Sequence, residues 1–220
     1  MIYMKAKKLL EKRMLKPGDD QDAFYLANCY VQLGNYPHAQ QLFERSCLAM
    51  FTSPMLWERT SQPNWLVDIC VLSGRIDLYP DVVRELTKYN SDRRGGSLVS
   101  LYSYALMEIL LPSGQDISKW VDGLLKKSRV KDTYAIGLCL QAILGRDDSR
   151  LADSMLRLLE AHKGIATRGG LRESAEGLLC MPAMSLTFVA MDRSLKIEIN
   201  NDYLSLGYLN YLRNESDPRK

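Results

Sequence analysis

The chain lacks nearly every residue arrangement on which catalysis or nucleic-acid binding is usually built. It has only two histidines, His38 and His162. Neither stands at a metal-ligand spacing such as HExxH from a Cys, Asp or Glu, so no metal site is expected. No G-x-S-x-G elbow is present for a serine nucleophile, and no G-x-G-x-x-G or G-x-x-x-x-G-K-S/T loop for a nucleotide. Charge of one sign is scarce too. Lys and Arg number 29 against 26 Asp and Glu, a net +3, which argues against a nucleic-acid partner. The chain has no window near the ~20 apolar residues of a membrane span, since its most apolar stretch, Leu178 to Met191, is broken by Pro182. Met1 to Lys8 is charged with no apolar stretch behind it, which predicts no secretory signal. Cys29, Cys47, Cys70, Cys139 and Cys180 are odd in number, widely spaced and form no CxxC. They read as reduced thiols packed in helices of a cytoplasmic protein. The sequence therefore predicts no catalytic residues, no cofactor and no metal, and neither a membrane nor a nucleic acid as partner.

What is present is helix. With 46% hydrophobic and 25% charged residues the composition is that of an ordinary globular chain. Leu98, Leu101, Tyr102, Ala105, Leu106, Ile109 and Leu110 repeat at helical spacing, as do Ile117, Trp120, Val121, Leu124 and Leu125. Tyr79, Val82, Val83 and Leu86 do the same, and so do Leu151, Met155, Leu158 and Leu159. Tyr134 to Leu144 is apolar nearly all round, which predicts the most buried helix over 131–144. Pro63 marks a helix start, Asp116 and Asp147 are N-caps, and Gly34, Gly74, Gly114 and Gly145 stand in the turns. Taken in pairs, the predicted helices make hairpins of 21–33 with 36–50, 63–73 with 77–89, 97–111 with 116–127, and 131–144 with 147–163. The fold class is all-α, an irregular solenoid-like stack of antiparallel helix hairpins. One helical domain is expected over 1–213, with a frayed polar tail over 214–220. Further helices are expected from Pro182 to about Arg193 and from Leu204 to Leu212. Lys196-Ile197-Glu198-Ile199 is the one alternating, strand-like run.

The first hairpin resembles a tetratricopeptide repeat. Ala27, Tyr30, Gly34, Tyr36, Ala39 and Phe43 occupy that repeat's small, aromatic and glycine positions. The later hairpins, starting roughly 34–42 residues apart, do not keep the motif.

The remaining candidates for chemistry have plain structural explanations. His162 lies on the apolar face of its helix near the C-terminus, where the dipole favours it. His38 is a surface residue at a helix start. The Asp19-Asp20 and Asp147-Asp148 pairs stand at helix starts as caps. Gly95-Gly96 and Gly169-Gly170, each after arginine, are linkers rather than phosphate cradles. Lys126, Lys127, Arg129 and Lys131 form a solvated basic cluster. For partner contact, the exposed turns Asp92-Arg93-Arg94 and Arg168 to Arg172 supply charged anchors, of which Arg93, Arg94, Arg168 and Arg172 are the arginines.

The last third of the chain resembles the immunity protein 49 family of bacterial polymorphic-toxin systems. Leu159-Glu160-Ala161-His162-Lys163 ends a helix ahead of a Gly/Arg-rich loop. Gly177-Leu178-Leu179-Cys180-Met181-Pro182-Ala183-Met184-Ser185-Leu186 follows, then Val189-Ala190-Met191-Asp192-Arg193-Ser194-Leu195-Lys196-Ile197-Glu198-Ile199, then Asn201-Asp202-Tyr203-Leu204. Upstream, Asn64-Trp65-Leu66 and Gly74-Arg75-Ile76-Asp77 look like the family's middle helices. The likeness spans 60–212 and is firmest over 159–204. It implies an all-α cytoplasmic protein that binds and neutralises a cognate toxin domain encoded nearby and made by the same cell. It supplies no catalytic residues. The alternative is a tetratricopeptide-like scaffold holding a peptide or partner protein, and an enzyme is the least supported class. The near-neutral charge also disfavours a strongly basic nuclease as the toxin, because such a toxin is usually met by an acidic inhibitor.

Overall fold

The computed structural model describes residues 2–14, 20–52, 64–84, 98–126 and 129–215. Helices α1 (Ile2–Met14), α2 (Asp20–Gln32), α3 (Tyr36–Thr52) and α4 (Asn64–Leu72) come first. A 3-10 turn at Ile76–Leu78 leads into helical residues 79–84. Next come α5 (Leu98–Leu110), α6 (Ser118–Leu125), α7 (Lys131–Gly145) and α8 (Asp148–Arg168). A second 3-10 turn, Ala175–Leu178, precedes α9 (Met181–Asp192) and α10 (Leu206–Glu215). The fold is all-α. Among the described residues the alternating run 196–199 pairs with no strand, and one isolated bridge joins Asn201 and Leu204. No described helix is long and apolar enough to cross a membrane.

Each helix from α1 to α8 packs on the next, as is usual for elements consecutive in the chain. Helix α1 has no counterpart among the sequence expectations. Among its described side chains only Ala6 is fully enclosed, which offers little apolar stripe to detect. It rests on α2 and on the second 3-10 turn, and the Lys5 ammonium donates to the Leu171 carbonyl, in the turn that leads from α8 to that 3-10 segment, at 3.3 Å.

Helix α9 lies along the inner side of the stack and touches α4, α7, α8 and α10. Met181 and every residue from Ala183 to Ala190 are buried. This corrects the expectation for 131–144. In α7 Leu138 is only half-buried and Leu144 is 36% exposed, because α7 is an outer member of the stack whose far side meets solvent. Apolarity on all sides marks α9, where Ser185 and Thr187 are enclosed with the rest.

The turns close as the glycines suggest, with one exception. Gly34, Gly74 and Gly114 have φ of 78°, 78° and 84°. At the α7–α8 turn the left-handed residue is Arg146, with φ 51°, while Gly145 is still helical. Bonds from Arg146 N to Ile143 O (3.3 Å) and from Asp147 N to Ala142 O (3.0 Å) finish the helix in the same pattern as at Gly34. Asp147 caps α8 by accepting from Arg150 N at 2.9 Å. Asp116 acts one residue ahead of the α6 N-cap and holds Ser118 through its N–H (3.0 Å) and hydroxyl (2.7 Å). The loop between α5 and α6 is gathered by Glu108, whose carboxylate accepts from the Ser113 hydroxyl and the N–H groups of Ser113, Gly114 and Gln115. These bonds hold its carboxyl below the usual range.

The end of the chain is tied back to its beginning. Helix α10 runs through Glu215, beyond the expected end at Leu212. The Tyr208 hydroxyl donates to the Leu72 carbonyl at 2.5 Å, and the Tyr208 ring lies 5.8 Å from that of Tyr36. A β-carbon on Gly207 would collide with Tyr36, so the close approach of α10 to α3 requires glycine there.

Candidate functional site

The first turn of α7 and the last three turns of α8 diverge enough to leave a groove of about 770 Å³ between them. Spacing of i, i+3 and i+4 puts Lys131, Tyr134 and Ala135 on the face of α7 that lines it. The same periodicity brings Arg157, Ala161, Ile165 and Arg168 of α8 to the opposite wall. The floor is made of small groups. Ala135 is 2% exposed and Ala161 and Gly164 are half-buried. Lys131, Arg157 and Arg168 form no ion pair among the described residues. Glu160, the one acid on the groove, lies 3.5 Å from Lys163 on its own helix. The groove therefore combines a small apolar floor, an aromatic side chain, one acid and three cations that form no ion pair among the described residues. That set can hold a carboxylate or similar anion while covering an apolar group beside it.

Of the residues proposed for partner contact, Arg168 lines this groove. Arg172 stands on the adjoining loop, exposed, 3.6 Å from Glu173. Asp92, Arg93 and Arg94 lie outside the described residues, as do Gly95-Gly96 and Pro63. At Gly169-Gly170 the backbone is drawn into local bonds that close α8 and the turn after it. Gly169 N donates to Ile165 O at 3.0 Å, and the Gly169 carbonyl takes Arg172 N at 3.2 Å. Lys131, expected in a solvated basic cluster, is exposed and lines the groove from α7, while Arg157 and Arg168 line it from α8. Tertiary packing makes that convergence, and sequence spacing carries no trace of it.

A second polar group is enclosed in the centre of the stack. Asp68 of α4, in the apolar run Val67 to Leu72, is fully buried. It accepts from the Tyr102 hydroxyl at 2.6 Å. Burial drives its carboxyl up to about 7, against the opposing pull of Tyr102 and of nearby Ser185. Neither Asp68 Oδ2 nor Ser185 Oγ closes a hydrogen bond. A carboxyl that titrates near neutrality is a common feature of acid–base sites. Here Tyr102 and Ser185 are as enclosed as Asp68, so no substrate reaches it.

The five thiols are free and buried. Those of Cys47 and Cys70 meet between α3 and α4, where their mutual hydrogen bond lowers Cys47 and raises Cys70. Burial pushes Cys180 up to about 12, which makes it an inert core thiol. His162 is buried, with its ring 5.1 Å from Tyr203 in an edge-on arrangement and its Nε2 unpartnered. Burial lowers its pKa to about 4. His38 is exposed and stands edge-on to Tyr30 at 4.4 Å. Among the described residues no three His, Cys, Asp or Glu side chains cluster as metal ligands.

No family model matches the chain, and neither a curated protein nor a solved structure matches it.

Proposed function

We propose that this chain is an immunity protein that acts in the cytoplasm. It binds one toxin domain encoded beside it, covers that toxin's active site and carries out no reaction itself. The block formed by residues 159–204 carries this reading. The segments on which the resemblance rests are in contact with one another. His162 packs on Tyr203, and Cys180 N donates to Tyr203 O at 2.9 Å.

The stack suits such a role. Rigid helix pairs offer a wide face without a cost of ordering loops. Arg168 and the groove beside it give that face an anchor of the kind found at the centre of tight interfaces. A second reading, a tetratricopeptide-like scaffold, is favoured by the α2–α3 hairpin, where Ala27, Ala39 and Phe43 are enclosed at the motif's positions. Both readings bind protein, and they part on the consequence of binding. Expression of the neighbouring toxin domain in a susceptible cell, with and without this chain, tests the proposal. Immunity predicts survival only when the chain is present. Unchanged killing despite soluble co-expression would contradict immunity and leave the scaffold.

A further inference from the structure

Two glycines sit inside the helices that form the groove, and they differ in what surrounds them. A β-carbon on Gly137 of α7 would press on Leu124 and Leu125 at 3.1 Å, so packing with α6 accounts for that glycine. Around Gly164 of α8 a β-carbon would find a single neighbour within reach, the tip of Arg168 at 3.9 Å. Among the described residues nothing demands glycine at 164, yet glycine inside a helix is less favourable than alanine. Its one effect among the described residues is to keep the floor of the groove open beneath Lys131, Arg157 and Arg168, none of which forms an ion pair there, beside the single acid Glu160.

We propose that the groove between α7 and α8 is the anchor pocket for the protein partner, and that it takes an acidic segment whose carboxylates flank an apolar side chain. The inference rests on the reading of this chain as a partner-binding protein. Arg157 and Arg168 suit carboxylates because a guanidinium fork matches the two oxygens. Lys131 adds a point charge from the opposite wall. Tyr134 and Ile165 cover the apolar side chain, which rests where Gly164 leaves space. The volume falls within the roughly 300–1,000 Å³ of pockets that enclose a compact ligand. The concentration of charge in one groove of a chain whose total is only +3 favours a partner with an acidic patch.

The test has two arms. In the first, the peptide acetyl-Glu-Phe-Glu-amide is titrated into the full chain while backbone amide resonances are followed by NMR. Saturable shifts are expected at Gly164, Ile165 and Gly169. They should weaken about tenfold or more in Arg168→Glu and in Gly164→Met, which fills the floor. Acetyl-Lys-Phe-Lys-amide should leave these resonances in place. Equal binding of the basic peptide, or an unchanged response in folded Gly164→Met, overturns the pocket. In the second arm, the neighbouring toxin domain is bound to wild type and to Gly164→Met. Loss of at least about tenfold in affinity supports the anchor role. Equal affinity overturns it while leaving immunity intact. Failure of wild type to bind the toxin strikes the immunity reading alone, because the peptide arm does not use the toxin.

Discussion

Tyr102 of α5 donates its hydroxyl to Asp68 of α4 at 2.6 Å, and neither side chain reaches solvent. A lone buried carboxylate is costly, so the proton stays on Asp68 up to about pH 7. The native state then binds more protons than the unfolded chain between the unfolded carboxyl's value of 3.8 and about 7. Asp68 therefore contributes most below pH 4, and its contribution is lost as pH rises through 7, by about 4 kcal/mol in all. Asp68→Asn keeps an oxygen for Tyr102 and removes the titration. It should raise Tm at pH 8 and leave Tm nearly unchanged at pH 4, measured by calorimetry. A lower Tm at pH 8 would contradict the assignment.

His162 titrates in the opposite sense. Its pKa of about 4 lies below the ordinary 6.5, so the unfolded chain takes up the proton first. Its neutral burial stabilises the fold above pH 6.5 and is lost as pH falls through 4, by about 3 kcal/mol. In wild type this slope cancels much of the Asp68 slope between pH 4 and 6.5. His162→Phe should unmask the Asp68 slope, with stability rising as the solution is acidified from pH 7 to 4. Denaturant melts across that range read it directly, and a stability that still falls with acid in this variant counts against it.

Ser194 ends α9 in the left-handed region, with φ 62°. Ser194 N and Leu195 N bond back to Met191 O and Ala190 O at 3.1 and 2.9 Å, the hydrogen-bond pattern of a glycine-terminated helix. Glycine adopts this φ without the Cβ strain that costs other residues about 1 kcal/mol. Ser194→Gly should raise stability by up to that amount in urea melts, and a loss would show that the serine side chain holds the turn.

Leu140 of α7 is fully enclosed, while Leu138 on the same helix is half-buried. Leu140→Ala should cost about 2–5 kcal/mol and Leu138→Ala clearly less. Equal losses in denaturant melts would mean that α7 is rotated from the orientation described here.

Much of this architecture was legible because helix periodicity and turn residues are local signals. The hairpins around Gly34 and Asp147 close where the sequence places them. The misjudgement of burial between α7 and α9 has a simple cause. Periodicity measures how apolar a helix is, whereas the number of neighbours is a property of the stack. Helix α1 escaped because its stripe is thin, and Arg146 because the left-handed position fell one residue after the expected glycine. At the candidate site Arg168 was legible as an arginine in a glycine-containing turn. Lys131, Arg157 and Gly164 were not, since residues 131 and 168 meet only when α7 folds back on α8. Asp68 had left a faint mark, a single acid inside the apolar run 65–72, which periodicity alone reads as core.

The proposed immunity role is tested most directly by titrating this chain into the toxin domain that the proposal requires beside it, with the toxin's own activity as the readout. Stoichiometric occlusion predicts that activity falls in proportion to added protein and vanishes at one equivalent. The dissociation constant should be about nanomolar or tighter, near −12 kcal/mol. Complete loss of activity at a small fraction of an equivalent would mean turnover, and full activity at many equivalents would mean no inhibition. Either result would contradict the account.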